Sequence, residues 1–400
     1  MMPRKQLTIF FVTNFILFFT GNGLYPLLPL FAGEFGASVT VAGLFLASLS
    51  ATNAAGALLA GRLLARFAPR TLYTVVSVLG ILGLLALALA RSLWLVVAAT
   101  ALVWFVGGFV MAISNILTGL TVAAESRGRA FGLLFLASPV AAIFGGGALG
   151  IIVNGSGYAP GFLVLAVMWA VIPALGLHLQ RARLPQTTPS LSKDSTVAPA
   201  AALGRSFYLL LVSALAVAAA IQTRNVAAFL QMQAAGFSPA AISSTTVTAG
   251  VAAIPVALFA GSLSDRIGRR TLLMGTTALV LLMLIPLSAA TELWHFAAGI
   301  ALLLVATVAL RPVTTAVVTD LLAPAALRRG LPLLEAGIMG VGTVATAAAG
   351  YILERFGPSG ITLLSVALLL LSAAALALLC TQRLVGNACP APVQRLALRG

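Results

Sequence analysis

Long apolar stretches separated by short polar segments make up almost the whole chain. Each stretch is apolar on all sides, without the alternation typical of membrane barrel strands. Each is also about 20 residues or longer, the length at which an α-helix crosses roughly 30 Å of hydrocarbon. The pattern predicts an all-α membrane protein with twelve transmembrane helices. They cover about residues 7–30, 41–61, 71–90, 93–122, 131–153, 160–179, 206–232, 240–260, 271–290, 294–319, 331–352 and 360–381.

The composition agrees with lipid as the surroundings of these helices. Hydrophobic residues make up 61% of the chain and charged residues only 8%, which is too little charge to surround a water-soluble core. The first stretch follows a basic N-terminus, as in a signal peptide, but it continues through Pro26 and Pro29 without a small-residue cleavage site. We therefore expect it to remain as the first helix.

The formal net charge of +15 indicates membrane topology rather than nucleic-acid binding. With the N-terminus inside, nearly all basic residues outside the membrane fall on that side, and only Arg91 and Arg355 fall on the other. The positive-inside rule makes the basic side cytoplasmic. We expect an integral plasma (inner) membrane protein with both termini in the cytoplasm, a basic surface in contact with lipid headgroups, and no nucleic-acid partner.

The sequence repeats at a period of about 200 residues. A basic segment at 61–72 follows the second stretch, and a similar segment at 261–272 follows the eighth. Because both halves enter the membrane in the same orientation, they should be related by an axis along the membrane normal. This predicts two pseudo-symmetric six-helix bundles, at residues 1–180 and 206–382. A cytoplasmic linker at 181–205 joins them, and a cytoplasmic tail follows at 383–400.

The segment at 261–272 carries the motif that points to a family. Its residues are Gly261, Asp265, Arg266, Gly268, Arg269 and Arg270. With the twelve stretches and the repeat, the chain resembles the major facilitator superfamily over essentially its whole length. The resemblance implies a cytoplasmic gate at this loop, in which Asp265 accepts charge-assisted hydrogen bonds. A purely structural charged turn is the alternative, and Ala65, Ala68 and Pro69 depart from the motif in the first half.

The resemblance also implies that spans one, four, seven and ten line a central cavity. Polar and aromatic residues that share one face of these helices at 100° per residue are the predicted substrate-binding residues. They are Asn14, Phe18, Tyr25, Trp104, Asn115, Arg224, Gln231 and Arg311.

Arg224 and Arg311 are the deepest charges, and a charge within a membrane is costly enough to indicate a function. The alternative for each is structural. Arg224 would pair with Gln222, Asn225 or a carbonyl, or reach the outer interface, and Arg311 would satisfy carbonyls freed by Pro312.

These features predict a secondary active transporter that works by alternating access and exports a small amphipathic or anionic solute. The first alternative is a proton-coupled multidrug efflux antiporter, in which Asp320 or Glu335 would couple protons. Trp104 weakens that alternative, since many proton-coupled members carry an arginine at this place. Asp320 and Glu335 are equally consistent with ion pairs at helix ends. A non-transporting membrane sensor or a lipid scramblase-like protein is a more distant alternative.

The sequence predicts no enzymatic activity, cofactor or metal site. His178 and His295 are the only histidines and fall on opposite sides of the membrane, so they cannot join one metal cluster or catalytic triad. No glycine-rich loop with a lysine suits a nucleotide phosphate. The expected partners are a small-molecule solute, membrane lipids and, in a coupled mechanism, protons, and the expected state is a monomer.

Overall fold

The computed structural model describes residues 4–64, 66–122, 124–179, 203–267, 269–322 and 324–385. All regular elements in these ranges are α-helices. The first half contains α1 (Arg4–Leu24), α2 (Leu28–Gly33), α3 (Val39–Leu64), α4 (Pro69–Ala88), α5 (Leu93–Thr121), α6 (Ala124–Ser156) and α7 (Tyr158–Gly176). The second half contains α8 (Arg205–Ala234), α9 (Pro239–Ile267), α10 (Arg269–Ser288), α11 (Leu293–Leu321) and α12 (Pro324–Val385).

The described helices account for twelve membrane crossings, as predicted. Ten helical segments within these ranges are long and apolar enough to cross a membrane. The last of them, Leu333–Leu379, has 47 residues and is long enough to cross twice. It contains Gly357 with φ 65° and ψ −167°, where the chain leaves the helical conformation between the two crossings. The 20-residue α10 is the remaining crossing.

The two halves repeat with an offset of 200 residues, which confirms the internal repeat. For example, α3 and α9 begin at Val39 and Pro239, and α5 and α11 begin at Leu93 and Leu293. The turns repeat as well, because the residues with positive φ in the described ranges are all glycines and form two pairs. The pairs are Gly36 with Gly236 and Gly157 with Gly357. Glycine adopts this conformation without the steric cost that a Cβ brings, so both halves use the same turn chemistry.

The first predicted span, 7–30, departs from the repeat because it forms two helices. Its counterpart α8 is continuous from Arg205 to Ala234, whereas α1 ends at Leu24 and α2 begins at Leu28. Pro26 has no N–H to donate, and its ring clashes with the preceding turn of a helix. The corresponding residue of the second half is Val226. Tyr25 therefore lies at the break between α1 and α2.

Successive crossings alternate in direction, so α1 and α8 begin on the same side of the membrane, where α12 also ends. We call this the near side and the opposite one the far side. That the near side is cytoplasmic stays a prediction. Most of the predicted linker, 181–205, and of the predicted tail, 383–400, lies outside the described residues.

Close helix contacts hold the first bundle together. Trp169 on α7 is 1% exposed, and its ring lies against Gly80 on α4, where a Cβ would collide with it. Its indole N–H donates to the Thr20 hydroxyl of α1 over 2.7 Å. A glycine at 80 and a hydroxyl at 20 thus allow Trp169 to be fully buried with its polar group satisfied.

Candidate functional site

The two bundles meet at a hydrogen-bonded group of side chains in the far half of the membrane. The Gln222 amide nitrogen on α8 donates to the Tyr25 hydroxyl and to the Thr346 hydroxyl of α12, each over 3.1 Å. The Tyr25 ring also contacts Phe229 of α8 edge-on, with ring centroids 6.4 Å apart. We call Tyr25, Gln222 and Thr346 the far latch. Through it, the break between α1 and α2 is joined to two helices of the other bundle.

Two helix crossings bring the bundles together between the middle of the membrane and the far side. On α3 and α12, a Cβ added to Gly43 would lie 2.7 Å from the Gly350 Cα, so the backbones almost touch. On α6 and α9, a Cβ at Gly150 would lie 2.5 Å from the Ser243 Cβ. Small residues permit this approach. At the far end of the first crossing, the Thr40 backbone N–H donates to the Glu354 carboxylate.

The register of α8 defines the face that this helix turns toward the first bundle. Gln222 and Phe229, which both contact Tyr25, lie within about 20° of each other at 100° per residue. Leu215, Ala218 and Asn225 lie within about 60° of Gln222 by the same count. Leu215, Ala218, Gln222 and Asn225 are all partly exposed, although α8 is otherwise largely buried. This face therefore borders open space.

The register of α1 defines the opposing face. Phe11, Phe15 and Phe18 lie within about 80° of Tyr25, and all three are partly exposed. Gly21 shares this face, and a Cβ added there would meet no atom within 4 Å. We call the space between this aromatic face of α1 and the amide-bearing face of α8 the central cleft. The far latch closes its far end.

The described residues thus form two helix bundles that face each other across the central cleft. The profile described as Major Facilitator Superfamily matches residues 10–232 and 210–395. The chain belongs to the major facilitator superfamily. It is therefore an integral membrane transporter, and membership in this family does not indicate an enzyme.

Solved structures share this fold at low sequence identity. A mutant of peptide transporter POT in complex with alafosfalin is 16% identical with a TM-score of 0.74, and the match covers 94% of each chain. A POT family transporter in complex with 5-aminolevulinic acid is 14% identical with a TM-score of 0.72, and the match covers 96% of each chain. No curated protein matches the chain by sequence. At these identities the structural likeness concerns the fold alone.

The other two lining helices of the superfamily fold carry partly exposed stripes. On α5, Trp104 and Asn115 are partly exposed and lie within about 20° of each other. The α5 residues that pack on α3 include Phe105 and Gly108, and they lie to one side of this stripe. On α11, Thr307 is exposed and Thr315 is partly exposed. Arg311 has the register of Thr307 and Thr315, but its side chain lies outside the described residues.

Two predicted site residues lie off the two faces that border the central cleft, and a third is buried. Asn14 lies within about 20° of Tyr25 around α1, but it is 1% exposed, and its side-chain oxygen is buried without a hydrogen-bond partner. Gln231 lies about 180° from Gln222 around α8 and borders a separate far-side cleft. Arg224 lies about 200° from Gln222 and is 1% exposed. The structure therefore brings Tyr25 and Phe18 onto the central cleft and places Arg224 away from it.

Two far-side clefts open where the bundles meet. One, of about 450 Å³, is lined by residues that include Glu34, Tyr158 and Gln233. The other, of about 530 Å³, includes Gln231 and Phe296. Glu34 follows α2, and partial burial raises the pKa of its carboxyl. Both clefts contain residues from both bundles, so their shape depends on how the bundles are arranged.

The predicted gate and coupling residues fall mostly outside the described side chains. The helix α9 ends at Ile267 and α10 begins at Arg269, so the gate motif surrounds a near-side turn. Gly268 lies outside the described residues, and so do the side chains of the other motif residues and of Asp320. Glu335 is partly buried in α12. Among the described residues, no group of three His, Cys, Asp or Glu side chains could hold a metal ion.

Gln222, Asn225, Phe11 and Phe15 border the central cleft and are not among the predicted substrate-binding residues. The spacing of Leu215, Ala218, Gln222 and Asn225 is helical and could have been recognised in the sequence. An equally regular stripe on α8 contains Arg224 and Gln231. Because a charge within a membrane indicates function, the sequence alone favours this second stripe as the substrate-binding face. The contacts of Gln222 and Phe229 with Tyr25 decide which stripe faces the other bundle.

Proposed function

We propose that this protein is a secondary transporter that exports a small, uncharged amphipathic organic solute by alternating access. The observation that supports this best is the chemistry of the two opposing faces of the central cleft. Phe11, Phe15 and Phe18 offer aromatic contact area on α1, and Gln222 and Asn225 offer amide donors and acceptors on α8. A solute with an apolar body and a few hydrogen-bonding groups matches this pairing.

The proposed direction of transport depends on which side of the membrane is cytoplasmic. Basic residues concentrate on the near side, which the positive-inside rule assigns to the cytoplasm. Among the described residues, the contacts between the bundles lie from the middle of the membrane to the far side. A far side closed toward the exterior is the state in which an exporter would take up its solute from the cytoplasm and an importer would release it there.

Charge favours an amphipathic over an anionic solute. Neither α1 nor α8 contains an acidic residue, and the buried Arg224 lies on the α8 face turned away from Tyr25. The described residues of these two faces are therefore uncharged. On the other two lining helices, α5 and α11, the only arginine or lysine is Arg311. It shares the register of Thr307 and Thr315 on α11.

The second candidate function is proton-coupled multidrug efflux, which the aromatic face of α1 also favours. Lipophilic cations bind to aromatic faces through cation–π contacts. The two candidates differ in coupling and in substrate charge. Efflux of lipophilic cations from proteoliposomes, driven by an imposed proton gradient, would favour the multidrug function.

The test is a ligand screen followed by matched substitutions. Purified protein would be screened by thermal shift against neutral amphiphiles, sugars, organic anions and lipophilic cations, since ligands that bind the folded state raise its apparent stability. We expect neutral amphiphiles to give the largest shifts. For the best ligand, Phe18→Ala should weaken binding about tenfold or more, because burying a phenylalanine side chain contributes roughly 1.5–3 kcal/mol.

Phe144→Ala is the matched control, since Phe144 lies on α6, outside the two faces of the central cleft, and is 58% exposed. It should leave the affinity unchanged. Equal losses in the two variants, or a screen in which only charged ligands bind, would contradict the proposed function.

A further inference from the structure

Arg224 carries a buried charge, and two of its guanidinium nitrogens have no hydrogen-bond partner among the described residues. The residue is 1% exposed, and both Nε and Nη2 are buried without a hydrogen-bond partner. These two nitrogens form one edge of the guanidinium, whose two parallel N–H groups suit a single anion. A guanidinium stays protonated at every pH at which proteins fold. A charge in this position therefore requires a counter-charge.

The location of Arg224 separates it from the central cleft. It lies about 200° around α8 from Gln222 and on the side of Val217 and Ala228. These two residues belong to a core cluster that includes Ile300 of α11 and Val280 of α10. Arg224 thus belongs to the interior of the second bundle.

Arg224 is also poorly placed to reach the membrane surface. It lies ten residues before the far end of α8 at Ala234, or about 15 Å along the helix. Side chains of a helix lean toward its N-terminal end, which for α8 is the near side. The preceding turn contains Ala220, which is fully buried and has a small side chain.

The described acidic residues lie away from this charge. In the described ranges, three acids lie at the far ends of helices, namely Glu34, Glu292 and Glu354. Glu335 lies in the near half of the first crossing of α12, before Gly357. The remaining acids are near-side residues by sequence. The described acidic residues therefore leave the Arg224 charge without a counter-charge.

We propose that Arg224 binds a small monovalent inorganic anion, of the size of chloride, inside the second bundle and apart from the central cleft. The Nε and Nη2 edge donates two hydrogen bonds to the ion, and the small side chain of Ala220 leaves space for it. Binding neutralises the buried charge and stabilises the packing of α8 in its bundle. This inference does not depend on the identity of the transported solute.

The test uses purified wild-type protein in detergent, without solute, at constant ionic strength. Chloride would replace gluconate, an anion too large for such a site, and the thermal midpoint would be followed. We expect the midpoint to rise with chloride and to saturate, because an ion that binds the folded state stabilises it by mass action. Arg224→Gln should abolish the chloride response, and Arg224→Lys should weaken it because the guanidinium edge is lost.

Arg91→Gln is the matched control, since Arg91 is an exposed far-side arginine, and it should keep the full response. An equal chloride response in wild-type protein and Arg224→Gln, or no response in wild-type protein, would overturn the proposal. If Arg224→Gln does not fold, crystals of wild-type protein soaked in bromide provide the decision. An anomalous peak beside the Arg224 guanidinium supports the proposal, and its absence at saturating bromide refutes it.

Discussion

Tyr25 is one of the residues through which the first bundle contacts the second. Its hydroxyl accepts a hydrogen bond from the Gln222 amide, and Tyr25→Phe removes this acceptor. A lost hydrogen bond of this kind costs about 1 kcal/mol, which should move the equilibrium about fivefold toward a state open on the far side. Labelling of Phe18→Cys from the far side by an impermeant maleimide would measure the change. Tyr351→Phe, at a tyrosine that is 56% exposed, should leave labelling unchanged, and equal rates in both variants would contradict a latch.

The sequence predicts cleft residues of α1 but none of those of α8. The difference is the number of regular stripes that each helix carries. The helix α1 has one aromatic stripe, so Phe18 and Tyr25 could be placed on a common face from spacing alone. The helix α8 has two regular stripes about 180° apart, one through Arg224 and one through Gln222. Spacing along a single helix does not say where its neighbour lies. The contact between Gln222 and Tyr25 is a property of two helices and was not predictable from either.

At the scale of helices, the crossing of α3 and α12 depends on two glycines. A Cβ at Gly350 would lie 2.8 Å from the Gly43 Cα, so Gly350→Ala should force the helices apart at a cost of about 1–3 kcal/mol. Gly340→Ala is the matched control on the same helix, because a Cβ there meets no atom within 4 Å. Spin labels at Leu89→Cys and Ala289→Cys, on exposed far ends of α4 and α10, would report the distance between bundles. Gly350→Ala should lengthen it, and no difference from Gly340→Ala would refute this role.

The helices themselves were largely predictable, since apolar length and the repeat give both their number and their order. The break in the first span was not predicted, although Pro26 is visible in the sequence. Proline often only kinks a membrane helix, because neighbouring groups satisfy the freed carbonyls. Here the chain forms a turn at Tyr25 instead, and that turn directs the tyrosine to the other bundle.

At the scale of the whole molecule, Glu354 joins the bundles through a charge. The Thr40 N–H at the start of α3 donates to its carboxylate, and this backbone hydrogen bond lowers the pKa of Glu354 from the ordinary value of 4.5. A lowered pKa means that the contact is fully present above pH 4.5 and is lost as the pH falls through the lowered value. Far-side closure should therefore weaken only in acid.

The same spin-label pair tests this pH dependence. We expect the distance between Leu89→Cys and Ala289→Cys to be unaffected by Glu354 from pH 7 down to about 4.5 and to lengthen below it, because protonation removes the acceptor charge that the Thr40 N–H binds. Glu354→Gln should give the longer distance already at neutral pH and should lose the acidic step. Glu34→Gln is the control, since burial raises the pKa of Glu34 and its titration falls at higher pH, so this variant should retain the acidic step. An acidic step that survives in Glu354→Gln would show that another group controls closure of the far side.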